Sequence, residues 1–292
     1  MTQSFSLARP KVNLFLHVTG RRDDGYHTLE SLVSFTENGD RLTVTRGDIL
    51  SLSIEGPFAA VLEQGQGNLV LDAALALQDW AREAGQTVAG AEMVLEKNLP
   101  VAAGIGGGSA DAAAALNALV ALWKLDVPQD VLLDIALELG ADVPVCVASR
   151  SRMMRGIGEV LDDAPQLPPA WLVLVNPMRG VSTAQVFSAL EMSEASPALE
   201  IPDHFSSAAE LGSWLRAETR NDLEAPARAI EPSIDAVLEA LDQCDGAHIA
   251  RMSGSGATCF ALFGSAAEAN AAQSSMQIER PEWWIEAAAL RQ

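Results

Sequence analysis

The sequence has little cysteine, little lysine, a single tyrosine and no long apolar run. Its three cysteines, Cys146, Cys244 and Cys259, are odd in number and lack metal-ligand spacing, so neither a disulfide framework nor a zinc site is expected. No apolar run reaches the roughly 18 residues of a membrane span, and no signal peptide is visible. These absences predict a cytoplasmic protein with no membrane partner.

Positive charge is scarce as well. The chain has 19 lysines and arginines against 39 aspartates and glutamates, a net charge of −20. Only three of the cations are lysines, namely Lys11, Lys97 and Lys124. Nucleic-acid binding depends on basic surface facing phosphates, so no nucleic-acid partner is expected. With 292 residues, 49% of them apolar, the chain can form a sizeable core and is predicted to have two domains.

The periodicity of the sequence predicts a mixture of strands and helices. Every second residue is aliphatic over 11–18, which predicts a half-buried strand whose other face, with Lys11 and Asn13, ordinarily meets solvent. Asn68 is expected to cap a helix that ends before Gly85. Further helices are predicted over 109–123 and 128–139, followed by short strands from about 144 and 153. Because strict β–α–β alternation is missing, the class is α+β.

The most informative segment is the glycine loop, residues 100–110, with the sequence Pro-Val-Ala-Ala-Gly-Ile-Gly-Gly-Gly-Ser-Ala. Glycines allow a ligand to approach the backbone closely, and the free N–H groups at the start of a helix attract anions. A tight strand-to-helix turn without a ligand is the alternative, but four glycines within five positions favour phosphate binding. The chain has no Gly-Lys pair for a Walker A motif, and no protein-kinase catalytic loop. Ser109 stands where the dinucleotide fingerprint requires its third glycine.

Three other segments are ambiguous when each is taken alone. Asp142 lies between a helix stop and Pro144, where aspartate ordinarily caps a turn. The glycine turn, residues 253–256 with the sequence Ser-Gly-Ser-Gly, fits a hairpin turn or a second backbone surface for a phosphate. Tyr26 and His27 follow a glycine and could stack on and recognise a base. A core tyrosine beside a surface histidine is about equally compatible with the sequence.

Taken in order, these segments resemble the GHMP small-molecule kinases. The resemblance rests on Lys-Val-Asn-Leu from Lys11, the glycine loop and the glycine turn, and it spans nearly the whole chain. Gly-Tyr-His at 25–27 and Leu-Gly-Ala-Asp-Val-Pro at 139–144 narrow it to one branch of that family. The resemblance implies a two-domain fold, with an N-terminal domain over 1–163 like ribosomal protein S5 domain 2. The C-terminal domain, over 164–292, would be ferredoxin-like.

The resemblance also implies a reaction and its participants. It implies ATP-dependent phosphorylation of the 2-hydroxyl of 4-diphosphocytidyl-2-C-methyl-D-erythritol, a step of the non-mevalonate route to isoprenoid precursors. ATP would be the co-substrate with Mg²⁺, whose protein ligands stay unassigned. The chain would act as a monomer or a homodimer.

Residue roles follow by position in the family's motifs. Lys11 and Asp142 match the catalytic pair. The substrate would contact Asn13, Tyr26, His27, Thr183 and Phe187. ATP would contact Asn68, Lys97, Pro100, Gly104, Gly106, Gly107, Gly108, Ser109 and Ala110. The third glycine motif comprises Ser253, Gly254, Ser255 and Gly256.

Three alternatives stay open at this point. A mevalonate- or sugar-type kinase of the same family would keep the glycine loop and the carboxylate. A non-catalytic protein on the same fold would bind nucleotide without turnover, although the presence of Lys11 and Asp142 counts against it. A nicotinamide oxidoreductase is the weakest alternative.

Overall fold

The computed structural model describes residues 3–62, 67–191 and 199–291. In chain order its strands and α-helices are β1 (Gln3–Ala8), β2 (Lys11–Arg21), β3 (His27–Phe35), β4 (Asp40–Gly47), β5 (Ser51–Glu55), α1 (Leu69–Glu83), β6 (Gly90–Glu96), α2 (Gly107–Trp123), α3 (Gln129–Leu139), α4 (Val143–Ala148), β7 (Arg152–Gly156), β8 (Val160–Asp163), β9 (Trp171–Asn176), α5 (Thr183–Ser188), α6 (Ala208–Glu218), α7 (Glu224–Ile230), α8 (Ser233–Asp242), β10 (Ile249–Met252), β11 (Cys259–Phe263), α9 (Ala266–Glu279) and β12 (Trp284–Ala289). Within these ranges no helix is both long and apolar enough to cross a membrane.

The chain folds into two compact units that interleave along the sequence. The first unit comprises residues 1–10, 38–101 and 106–149, and the second comprises 11–37, 102–105 and 150–292. The predicted domains, 1–163 and 164–292, are contiguous instead, and their boundary stays a prediction.

The first unit is one sheet with helices. Its strand order is β1-β4-β6-β5, and β5 pairs with β6 in parallel, while β1 and β6 pair with β4 antiparallel. Helix α2 packs on this sheet and on α1. Ala112 and Ala115, like most alanines of α2, are buried, because small side chains allow close approach to neighbouring elements.

The second unit contains two four-stranded sheets, β2-β3-β7-β8 and β10-β11-β9-β12. In the second of these, β9 is central, and the pairs β10–β11, β11–β9 and β12–β9 are all antiparallel. Helices α5–α8 separate β9 from β10, and α9 separates β11 from β12. Four antiparallel strands in this order, with helical crossovers in these places, form a ferredoxin-like sheet.

Several expectations about secondary structure are wrong. Pro144 lies in the first turn of α4 and not in a strand, because a short apolar run has the same sequence pattern in a buried strand and in a buried helix. The face of β2 that carries Lys11 and Asn13 is buried and not solvated. Sequence periodicity also missed β1, β8 and α7.

Candidate active site

The glycine loop leads into α2 with the geometry that an anion site requires. Gly106 occupies the N-cap position at a φ of 63°, in the left-handed region, where a side chain would be strained. The Ala110 N–H donates to the Gly106 carbonyl at 2.8 Å and closes the first turn. The N–H groups of Gly107, Gly108 and Ser109 therefore precede the helical hydrogen-bond ladder. With the helix dipole, they form an N-terminal site suited to phosphate.

Residues 102–105 of the same loop belong to the second unit, where they pack against the glycine turn. A Cβ atom at Gly104 would lie 2.4 Å from the Gly256 carbonyl oxygen, and one at Gly254 would lie 2.8 Å from the Gly104 carbonyl oxygen. The Thr258 N–H donates to the Ala103 carbonyl at 3.1 Å. These two glycine segments therefore need glycine because their backbones touch.

Strand β2 completes this cluster. The Lys11 N–H donates to the Ile105 carbonyl at 2.9 Å, and the Asn13 N–H donates to Ser253 Oγ at 3.1 Å. The structure thus brings together three segments that lie far apart in the sequence: the start of β2, residues 103–105 of the glycine loop and the glycine turn. The glycine turn is the hairpin connection between the antiparallel strands β10 and β11, as one of its two interpretations expected, and it also contacts the glycine loop.

The side chains of Lys11 and Asn13 form a buried polar pair. Lys11 Nζ donates to Asn13 Oδ1 at 3.1 Å, and Asn13 Nδ2 donates to Ser31 Oγ at 2.7 Å. Their exposed fractions are only 5% and 0%. Because both ends of the Asn13 amide are engaged, the orientation of Asn13 is fixed, and it directs the Lys11 ammonium.

Asn221 holds the glycine turn through side-chain hydrogen bonds to its backbone. The sequence did not single out this residue. Its Nδ2 donates to the carbonyls of Met252 and Gly254, both at 2.8 Å, and its Oδ1 accepts from the Leu223 N–H at 3.0 Å. Met252 and Gly254 are far from Asn221 in the sequence, and Leu223 follows it in an irregular segment. A motif search gives no signal for such a residue.

The predicted base-binding residues lie in the second unit and differ in exposure. His27 and Phe187 are stacked, with ring centroids 5.1 Å apart and an interplanar angle of 21°. Two rings already in stacking contact leave no room for a third ring between them, so a base would stack on an outer face. Burial, and to a smaller extent Arg21, lower the pKa of His27. Tyr26 is 63% exposed, so its interpretation as a core residue is wrong.

Helix α5, which carries Phe187, is tied to the glycine turn. Its first residue is Thr183, whose hydroxyl lies 2.8 Å from the Ser255 hydroxyl. The predicted substrate residues on α5 and the third glycine motif are therefore neighbours through one hydrogen bond.

In the first unit, Asn68 caps α1 as predicted, since its side chain accepts from the Val70 N–H at 2.9 Å. The next residue, Leu69, lies behind the glycine loop: its Cδ1 is 3.6 Å from where a Cβ of Gly108 would be. Asp142 occupies the N-cap position of α4 but makes no capping hydrogen bond to that helix. Asn68 therefore immediately precedes a residue that lies against the glycine loop.

Lys97 lies in a buried triad with Asp40 and Asp111, neither of which the sequence analysis singled out. Lys97 Nζ donates to Asp111 Oδ2 at 2.6 Å and also to Asp40 Oδ2. Burial alone would lower the pKa of Lys97, but Asp111 and Asp40 outweigh it, so the pKa is raised. Burial raises the pKa of Asp111 to about 8, opposed by Lys97 and assisted by Asp40.

Comparison with known proteins agrees with this geometry. The family model of the GHMP kinases N terminal domain matches residues 68–150, and that of the GHMP kinases C terminal domain matches residues 197–281. The chain belongs to the GHMP kinase family. The predicted family, its α+β fold and the kinase class are therefore confirmed.

Within that family, the relatives of about half identity share one name. The chain is 50% identical to the 4-diphosphocytidyl-2-C-methyl-D-erythritol kinase of Cereibacter sphaeroides over 99% of both chains. It is also 50% identical to the enzyme of that name from Rhodospirillum rubrum, over 95% of this chain and 89% of the relative. A crystal structure of 4-(cytidine 5'-diphospho)-2C-methyl-D-erythritol kinase matches with a TM-score of 0.79 and 34% identity over 99% of both chains. Homoserine kinase from Cytophaga hutchinsonii, at 18% identity, covers 100% of this chain and 95% of its own with a TM-score of 0.71, and it shares the fold alone.

Proposed function

We propose that this kinase transfers the γ-phosphoryl group of ATP to the 2-hydroxyl of 4-diphosphocytidyl-2-C-methyl-D-erythritol, a cytoplasmic step toward isoprenoid precursors. The observation that carries the proposal is the packing of three motif segments in the second unit. Lys11 N–H donates to Ile105, Asn13 N–H donates to Ser253, and Gly104 touches Gly256. The relatives of about half identity supply the substrate by name.

The glycine loop binds the phosphates of ATP. Its contribution is the row of N–H groups at Gly107, Gly108 and Ser109, which carry partial positive charge without a basic surface. Pro100, Gly104, Gly106 and Ala110 shape the backbone on either side. A binding site made from the backbone resolves the difficulty that a chain of net charge −20 must bind two polyanions.

Mg²⁺ enters as part of the MgATP substrate. The described ranges contain no group of three or more acidic, histidine or cysteine residues that could form a metal cage. Mg²⁺ ordinarily keeps several waters and binds mainly through nucleotide phosphates with one or two protein carboxylates. When bound, the ion neutralises charge on the phosphate oxygens.

Lys11 and Asp142 are the catalytic pair in this proposal. Phosphoryl transfer passes through a loose transition state, in which positioning and charge neutralisation matter most. The Lys11 ammonium, oriented by Asn13, neutralises negative charge on the transferring phosphoryl group. Asp142 accepts a hydrogen bond from the substrate hydroxyl and directs its oxygen toward phosphorus. Because early proton removal is not required in a loose transition state, orientation is the main role of Asp142. As the new O–P bond forms, the bond from the γ-phosphorus to ADP breaks, ADP leaves, and the hydroxyl proton passes late to Asp142 and from there to water.

The other side chains select the substrate. Tyr26, exposed and adjacent to His27, stacks on the cytosine, while His27 and Phe187 form the wall beside it. Asn13 holds the erythritol part and Thr183 lies near the substrate. Asn68 with its helix borders the adenosine of ATP.

The substrate is tested in a coupled assay for ADP release. Turnover with 4-diphosphocytidyl-2-C-methyl-D-erythritol and none with mevalonate or galactose is the expected result. Equal or better turnover with mevalonate would refute the proposed substrate and leave the family unchanged.

The catalytic pair is tested with Lys11→Ala and Asp142→Asn. Each is expected to lower kcat by about 10³-fold or more, because each removes a group that acts on the transition state. ATP affinity should change little. Lys124→Ala and Asp134→Asn, exposed residues of the first unit, are matched controls and should behave like the wild type. Near-wild-type turnover of either catalytic variant would refute its assignment.

A further inference from the structure

The two ends of the glycine loop meet in one place, the buried triad. Asp40, the first residue of β4, accepts from the backbone N–H groups of Asn98 at 2.5 Å and Leu99 at 2.8 Å, through Oδ1. Its Oδ2 accepts from Lys97 Nζ. Leu99 directly precedes the loop. The end of the chain that enters the loop is therefore fixed by Asp40 and Lys97.

The same ammonium fixes the other end. Asp111 directly follows the loop, in the second turn of α2, and its Oδ2 accepts from Lys97 Nζ at 2.6 Å. The ammonium also lies behind the start of the helix, 3.4 Å from where a Cβ of Gly107 would be. Lys97, which precedes the eleven-residue loop, thus pairs with Asp111, which follows it, while Asp40 links Lys97 to the N–H groups at the loop's entrance.

The side chain of Lys97 is already committed to these contacts. It is 3% exposed, and the Asp40 and Asp111 side chains are 0% and 5% exposed. The backbone of Lys97 is engaged as well, since its N–H donates to Glu55 at 2.7 Å and its carbonyl accepts from Phe58 at 3.2 Å. Two of the three N–H donors of the ammonium are engaged by carboxyl oxygens, and the low exposure of the side chain leaves little of it accessible to a nucleotide.

We propose that Lys97 is a positioning residue of the kinase, which fixes both ends of the glycine loop through Asp40 and Asp111 and does not contact the nucleotide itself. This role rests on the proposed function, because it matters only where the loop binds ATP phosphates. It replaces the expectation from the family resemblance that Lys97 contacts ATP. It also gives Asp40 and Asp111 a role that no motif assigned to them.

The charge of the triad provides a signature of this role. Asp111 Oδ1 is buried and has no hydrogen-bond partner in the described structure, and Lys97 and Asp40 are the charged groups that face it from the elements around α2. With one proton on the two carboxyls the triad is neutral. When that proton leaves, a negative charge appears behind Gly107, where phosphate binds, and ATP affinity should fall.

The test measures ATP binding by calorimetry in the absence of the second substrate. Lys97→Met leaves Asp40 and Asp111 without their cation, and ATP should bind more weakly by on the order of tenfold or more, as expected when a small displacement disturbs a preorganised site. Lys97→Met combined with Asp111→Asn reduces the surplus from two acidic groups to one, Asp40, which keeps the N–H donors of Asn98 and Leu99. The double variant should therefore regain part of the affinity, although the ammonium is absent. Lys124→Met, at the exposed far end of α2, is the control and should bind ATP like the wild type.

A direct nucleotide ligand behaves differently. If the ammonium contacts ATP, the double variant binds ATP as weakly as Lys97→Met, and that result overturns the proposal, as does wild-type affinity in Lys97→Met. Should both variants fail to fold, Asp111→Asn decides: the wild type should lose ATP affinity above about pH 8, and the variant should not. An equal alkaline loss in both proteins would contradict the proposal.

Failure of the Lys97 proposal can be told apart from failure of the proposed function. ATP binding does not depend on which hydroxyl is phosphorylated, so a wrong substrate leaves the test of Lys97 readable. Absence of ATP binding by the wild-type protein would instead refute the kinase proposal itself.

Discussion

Lys97 and Arg251 are buried cations beside glycine motifs, one in each unit, and their surroundings differ. Lys97 donates to two carboxylates, Asp40 and Asp111. Arg251 donates to the carbonyls of Leu14, Leu215 and Thr219 and to the Thr219 hydroxyl, at 2.8–3.0 Å. The first site has one cation and two acids, whereas the second satisfies a full positive charge with neutral oxygens.

This difference appears in the pKa values. The carboxylates raise the pKa of Lys97, whereas burial lowers the pKa of Arg251 to about 10, with Glu224 raising it and Arg216 lowering it. A protein can therefore bury a cation beside more than one acidic side chain, as at Lys97, or among uncharged oxygens alone, as at Arg251. The two solutions should respond to pH in different ways.

The largest effect on stability is expected from Lys97→Met. Removing the cation leaves two buried carboxyls without their partner, which costs about 3–5 kcal/mol. The loss should be greatest near pH 8.5 and smaller at pH 6, because at the lower pH the carboxyls can take up protons. Urea unfolding at both pH values measures it. A loss independent of pH would show that the carboxyls do not carry the excess charge.

Arg251→Met is the matched change in the second unit. It leaves several buried acceptors without a donor, at about 2–4 kcal/mol in total after partial relaxation. Because the contacts of Arg251 are carbonyls and a hydroxyl, the loss should be the same at pH 6 and pH 8.5. The same urea titrations measure it, and a marked pH dependence would contradict the comparison.

Asp111→Asn sharpens the comparison within the first unit. The folded wild type retains a proton on Asp111 that the unfolded chain releases, so this site loses stability as the pH rises from 3.8 toward about 8. The variant has no such slope. Relative to wild type, it should gain on the order of 1–2 kcal/mol between pH 6 and pH 8. Parallel stability curves for the two proteins would refute the raised pKa.

The smallest effect on stability is expected from His17, in the second unit. Its pH dependence is opposite to that of Asp111, because its pKa is lowered and not raised. Its Nε2 accepts from the Arg220 N–H at 3.2 Å, which requires the neutral ring. Burial, then Arg220, lower its pKa, with Arg251 a smaller contributor and Asp222 and Glu30 opposing. A lowered pKa stabilises the fold above 6.5, and that stability is lost as the pH falls.

The measurement for His17 is the slope of unfolding free energy between pH 7.5 and pH 5.5. His17→Gln keeps an acceptor without a titratable ring, and it should remove about 1 kcal/mol or less of the acid loss. If the wild type and the variant lose the same stability, His17 is not the group responsible.

Much of the site could be predicted from sequence because its residues are neighbours in short motifs. The glycine loop is recognisable as a motif from its composition alone, although its binding of phosphate stays a prediction, and the Asn68 cap is predictable because Asn68 precedes an apolar run. The strand expected at Pro144 failed because a short buried helix and a short buried strand have the same apolar pattern. The solvated face expected on β2 failed because alternation shows which face is aliphatic, not whether the other face is covered.

The sequence by itself determined the family, the α+β class and the two glycine motifs, since these depend on which residues follow one another. Only the tertiary structure decided which residues support those motifs. Asp40 lies 57 positions from Lys97, and Asn221 lies 33 positions from Gly254, so nothing local marks either pair. The scarcity of lysine pointed to Lys97, but burial between two carboxyls decided that its ammonium faces the protein.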